Sequence, residues 1–188
     1  MMPNRFLDDH ESASHDSAEY NSVDASLWFI IAAYELVTHA AKRGYTLAPS
    51  KVNELTATIE LILQHYSQGT RYGIRLDSDG LLLSGTSGVQ LTWMDAKIGN
   101  YVVTPRTGKP VEIQALWLNA LKIGALLLPH SAPRWTELFE RGIKSFSDRF
   151  YHTAQECLYD VIDVDREYGA VDERIRPNQI FAVGGLPF

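Results

Sequence analysis

The chain is 188 residues long, 45% hydrophobic and 21% charged, an ordinary globular composition with enough apolar material for one sizeable core. Its net charge of −6 and the lack of any basic stripe exclude a nucleic-acid surface, which needs Lys and Arg clustered against phosphates. The single Cys157 rules out an internal disulfide and a cysteine-based metal site.

Residues 1–22 read as irregular and polar, without the apolar core of a signal peptide. Asp24 fits a helix N-cap, where its oxygen can accept from orphan backbone amides. Residues 25–43 are apolar on nearly every side, with Trp28, Phe29, Ile30, Ile31, Tyr34, Leu36 and Val37. That pattern predicts a helix buried on more than one face, ended by Gly44. The longest apolar run, 27–34, is far too short to cross a bilayer, so a cytoplasmic chain with no membrane partner is expected. Pro49 and Ser50 open a second helix. Val52, Leu55, Ile59, Ile62 or Leu63, and Tyr66 keep helical spacing there while Lys51, Glu54 and Gln64 face away, and Gly69 stops it. This one is amphipathic.

A small β-hairpin is expected near 72–84, where Tyr72-Gly73-Ile74-Arg75-Leu76 and Leu81-Leu82-Leu83 flank the turn Asp77-Ser78-Asp79-Gly80. The following Gly85-Thr86-Ser87-Gly88 lacks the lysine and spacing of a phosphate cradle and reads as a plain loop. Residues 91–109 are loop-like. A helix over 111–128 follows, apolar nearly all round with Ile113, Leu116, Trp117, Leu118, Leu121, Ile123 and Leu126. Pro133 starts another, with a stripe of Trp135, Leu138, Phe139, Ile143, Phe146 and Phe150 opposite Glu137, Glu140, Arg141 and Lys144. A short strand is expected within 157–161, then irregular chain to the end.

The strong helices thus alternate between buried all round and amphipathic. A double ring of helices has that signature, with inner helices enclosed and outer ones half-wet. Four helices cannot close such a ring, so the chain reads as part of one.

Several ordered motifs then resemble a known family. They are Pro3-Asn4-Arg5-Phe6, Glu19-Tyr20-Asn21-Ser22-Val23-Asp24-Ala25-Ser26-Leu27-Trp28-Phe29, and Thr92-Trp93-Met94-Asp95-Ala96. Thr104-Pro105-Arg106 with Val111-Glu112-Ile113, and Arg176-Pro177-Asn178-Gln179, complete the set. Together they resemble the carboxy-terminal, amylo-alpha-1,6-glucosidase domain of glycogen debranching enzymes. The resemblance implies a mainly α fold, part of an (α/α)6 toroid of the six-hairpin glycosidase kind, with residues 1–188 forming a single partial domain from its central portion. It also implies inverting hydrolysis of α-1,6-linked glucosyl branch stubs on glycogen or a branched α-glucan, with no cofactor and no metal. Asp95 corresponds to the general acid. The family's base is a glutamate expected beyond Phe188, so a complementary chain or self-association could complete the ring.

An inverting glycosidase needs one carboxyl that keeps its proton and one that is ionised, and the first needs an apolar or like-charged setting. Trp93 and Met94 could provide that for Asp95. Taken alone, an aspartate in such a segment reads more readily as a turn or cap; the resemblance reverses the preference. Trp28, Trp93 and Trp117 are candidates to pack on a glucose ring, although Trp28 and Trp117 read more readily as core. Asp24, Glu112, Arg5, Arg106 and Asn178 are candidate hydroxyl ligands. Glu112 could also pair with Arg106 or serve its helix dipole, and Lys109 is either a further donor or a solvated loop charge. The six histidines show no metal-ligand spacing. A second reading, from another class, is a non-catalytic carbohydrate-binding or assembly module derived from the same domain.

Overall fold

The computed structural model describes residues 2, 5–6, 18–99 and 101–188. Four long helices carry the fold: α1 (Ala25–Lys42), α2 (Pro49–Gln68), α3 (Val111–Leu127) and α4 (Ala132–Arg149). A short α5 (Ile180–Val183) follows them. All strands are two residues long and pair antiparallel. β1 (Arg5–Phe6) joins β2 (Ala18–Glu19), β3 (Arg75–Leu76) joins β4 (Leu82–Leu83), and β5 (Lys97–Ile98) joins β6 (Tyr101–Val102). After β7 (Lys109–Pro110) and α4, β8 (Tyr151–His152) joins β9 (Cys157–Leu158). β10 (Val161–Ile162) takes β7 on one side and β11 (Val171–Asp172) on the other. About half the chain is helical, and the fold is mainly α.

The core is organised on α3. It buries thirteen of its seventeen residues and packs against α1, α2, α4 and α5, so it is the one helix enclosed as its apolar pattern requires. Trp117 is wholly buried and its indole donates to Gly80 O at 3.1 Å. Gln114 accepts from Leu82 N at 2.8 Å and donates to Leu82 O at 2.9 Å. Helix side chains thereby satisfy backbone groups of the hairpin that burial would otherwise strand. Gly80 (φ +85) lies against Gly142 of α4, where a Cβ on Gly80 would stand 2.7 Å from Gly142 N. Only glycine allows the turn to approach that closely.

α1 departs from expectation. Leu27, Ile30, Ile31 and Ala33 are buried, but Trp28 and Leu36 face solvent, so the helix is covered on one side only. An apolar side chain is buried only where a neighbouring element reaches it, and on this flank Trp28 is covered only in part, by the edge of Phe181. Conversely Trp135, on the amphipathic α4, is fully buried, its indole donating to Ser131 Oγ at 2.9 Å. The segment expected as plain loop also holds the β5–β6 hairpin. The irregular carboxy-terminal part is organised by β11, α5 and two 3-10 turns, Val164–Arg166 and Pro177–Gln179. No helix among the described residues is long and apolar enough to cross a membrane.

Candidate functional site

An apolar cleft of about 390 Å3 opens beside the amino-terminal ends of α1 and α3, lined by Asp24, Trp28, Trp93, Glu112, Leu116, Pro177, Ile180 and Phe181. Four of the expected site residues meet there although 88 positions separate Asp24 from Glu112. The Trp28 ring packs edge-on against Phe181, with centroids 5.5 Å apart. Trp93 is 53% exposed.

Asp24 stands at the N-cap position of α1 but makes no side-chain cap bond. Ser22 takes that role, accepting from Ala25 N at 3.0 Å while its hydroxyl donates to Asp24 Oδ1. The serine reaches the amide, so the carboxylate turns to the cleft. Nearby, Tyr66 donates to Val23 O at 3.0 Å. Burial pushes the Tyr66 phenol up to about 12, with the negative charge of Asp24 acting in the same direction.

Behind the cleft lies a buried ionic network. Arg106 donates from Nη1 to Glu112 Oε1 and from Nη2 to Glu112 Oε2 at 2.6 Å. It also holds Asp160 through Nε to Oδ2 and Nη2 to Oδ1, both at 3.0 Å. Nη1 reaches Thr92 Oγ1 at 3.4 Å. A guanidinium has five N–H donors in a fixed fork, and these contacts occupy them all. Burial pulls the Arg106 group down, but the Glu112 and Asp160 carboxylates outweigh it and hold it above its ordinary value. Arg106 therefore sets Glu112 in place rather than offering donors to a ligand. Arg176 Nη1 adds bonds to Asp160 Oδ2 at 2.6 Å and Asp172 Oδ2 at 3.0 Å.

The remaining candidates separate. Asn178 is fully buried, with its amide engaged by Trp93, Asp160 and Met94. Trp117 packs in the core and does not line the cleft. Asp95 is exposed, two residues beyond Trp93, and has no hydrogen-bond partner among the described residues. The apolar enclosure expected for it is therefore absent, because its loop turns it outward. Arg5 lies in β1 opposite Glu19; its side chain, like Pro3 and Asn4, falls outside the described residues. Lys109, read as a loop charge, is buried with its ammonium 2.7, 2.7 and 2.8 Å from Asp77, Asp79 and Asp163. The carboxylates of those three lie close enough to hold a metal ion, but the lysine itself sits among them. Burial lowers its proton affinity, and the hydrogen bonds it donates to the three aspartates more than restore it.

Asp160, Asp172 and Arg176 were not anticipated. Asp160 and Asp172 carry no sequence signal that separates them from solvated loop charges, and Arg176 stands in the Arg176-Pro177-Asn178-Gln179 motif without a role assigned to it. Burial pushes the Asp172 carboxyl up, yet hydrogen bonds from Arg174 and Arg176 prevail and hold it at about 2. A carboxyl depressed in the folded state adds stability that is present above its unfolded value, about 3.9, and is lost as pH falls through about 2. Asp172→Asn is expected to lower stability at neutral pH and to flatten the acid limb between those values. Urea midpoints from neutral to acid pH check this; an acid limb identical to the wild type rejects it.

A second, larger groove of about 560 Å3 is lined by Arg106, Thr107, Val164, Asp172 and Arg174 among others. It has no aromatic wall, so it offers no flat apolar face to a ring. Compared with known proteins, residues 1–187 of the chain match the family described as amylo-alpha-1,6-glucosidase. No curated protein and no solved structure gives a significant match.

Proposed function

Since this chain belongs to the amylo-alpha-1,6-glucosidase family, we propose that its cleft binds the α-1,6-linked glucosyl stub of glycogen or a related branched α-glucan. The observation that carries this reading is the pairing of aromatic walls, Trp28 and Trp93, with two carboxylates, Asp24 and Glu112, in one cleft. A pyranose presents flat C–H faces to aromatic rings and hydroxyl donors to acceptor-only carboxylates. The cleft's size falls in the ~300–1,000 Å3 range of small-molecule sites.

In the catalytic form of this reading, Asp95 is the general acid of an inverting hydrolysis. Glu112 positions hydroxyls and is not the base, which is supported by the engagement of both its oxygens by Arg106. The base then comes from a segment that completes an (α/α)6 ring around the cleft. The half-open flank of α1, with Leu36 51% and Trp28 37% exposed, supports such a completion by further helices, by a complementary chain or by a second copy. Helices closing over the rim would give Asp95 the desolvation that a proton-holding carboxyl needs. The exposure of Asp95 favours a second reading, in which the chain binds the glucan without hydrolysing it.

Both readings require sugar binding. Calorimetric titration with isomaltose, the α-1,6-linked glucose disaccharide, is expected to show saturable binding that Trp93→Ala weakens about five- to tenfold, the scale of a truncated aromatic anchor. No binding by the wild-type chain sinks the glucan assignment. Binding without glucose release by a completed ring that contains this chain selects the second reading.

A further inference from the structure

Asn178 lies 0% exposed and bridges a donor and an acceptor. On one side the Trp93 indole, which can only donate, gives its N–H to Asn178 Oδ1 at 2.9 Å. On the other the Asp160 carboxylate, which can only accept when ionised, receives Asn178 Nδ2 at 2.7 Å. These two partners fix the orientation of the amide, since a flipped Asn178 would set donor against donor and acceptor against acceptor. The same Nδ2 lies 3.4 Å from Met94 Sδ.

Asp160 is itself immobile. Besides Asn178 it accepts from Arg106 Nε and Nη2 and from Arg176 Nη1, so its four lone-pair sites are filled. One buried carboxylate therefore anchors two arms. Arg106 carries Glu112 to the cleft, and Asn178 carries Trp93. Trp93 gains from such an anchor, because the residue is more than half exposed and has few packing neighbours to fix its rotamer.

We propose that Asn178 is a positioning residue for the cleft. It holds the Trp93-Met94 segment, and with it the loop bearing Asp95, at a fixed setting relative to Glu112. The inference rests on the cleft being the sugar site. Asn178 itself touches no ligand, because its amide is already engaged.

The test uses the indole N–H signals of the 15N-labelled full chain, with that of Trp93 identified by its loss in Trp93→Phe. In the wild-type chain the Trp93 indole hydrogen is expected to exchange with solvent more slowly than that of Trp28, although Trp93 is 53% exposed and Trp28 37%. Faster exchange at Trp93 overturns the proposal without any variant at Asn178. Asn178→Ala is expected to shift the Trp93 signal and speed its exchange, leaving those of Trp117 and Trp135 in place as reporters of an intact core. Isomaltose affinity should fall about three- to tenfold, the scale of one lost hydrogen bond, and the same substitution in a Trp93→Phe background should add nothing further. An unmoved Trp93 signal, or additive losses in the double variant, overturns the assignment. If wild-type chain does not bind isomaltose, the glucan reading fails on its own, and the indole signals still decide whether Asn178 holds Trp93.

Discussion

Asp95→Asn is expected to lower glucose release from an α-1,6-branched dextrin by about 10²–10⁴-fold, the usual contribution of a general acid. The prediction applies to a glucosidase ring that contains this chain. The amide cannot give a proton to the leaving glycosidic oxygen, which an inverting mechanism requires of its acid. Binding should survive, because Asp95 stands outside the cleft lining and the shape of its side chain is kept. The loss should therefore appear in kcat with KM little changed. Glu112→Gln should weaken binding and leave more turnover than Asp95→Asn. Near-normal turnover by Asp95→Asn removes the acid assignment. Hydrolysis by the 188-residue chain alone that Glu112→Gln abolishes places the base at Glu112 instead.

Arg106→Met should be the most damaging single change to stability outside the apolar core. It leaves Glu112 and Asp160, both 2% exposed, buried without the cation that lies between them. Removing one partner of a buried ionic group typically costs about 3–5 kcal/mol, which for a chain of this size lowers Tm on the order of 10 °C. Urea unfolding at neutral pH checks this. A loss below about 1 kcal/mol, the scale of a surface ion pair, contradicts the buried network. Arg106→Lys should recover only part of the loss, because a lysine ammonium cannot form the two-sided fork to Glu112 and Asp160.

Helix positions were legible because their signals are local. Pro49, Gly69, Val111 and Pro133 mark boundaries through missing amides, left-handed backbone or a change of hydrophobic period, and each lies within a residue of the observed limit. The hairpin near 72–84 was legible for the same reason, through its Asp77-Ser78-Asp79-Gly80 turn. The pairing of Glu112 with Arg106 was foreseeable from six residues of separation and opposite charge. Their joint partner Asp160 was not, since it lies 54 positions from Arg106 and nothing in Tyr159-Asp160-Val161 distinguishes a buried anchor from a surface aspartate.

By itself the sequence determined the helical class, the order of the four long helices, the family resemblance and the set of side chains from which a sugar site could be built. These follow from backbone preference, hydrophobic period and motif order, which neighbouring residues carry between them. Only the tertiary structure decided how those side chains are used. It sent Trp117 to the core and left Trp28 at the cleft, although both sit on helices apolar nearly all round. It buried Lys109 among three aspartates and engaged every donor of Arg106 and the amide of Asn178 behind the wall. Burial and hydrogen-bond partnership depend on what another part of the chain brings within about 3 Å. Helical period sets the direction of a side chain but not what it meets.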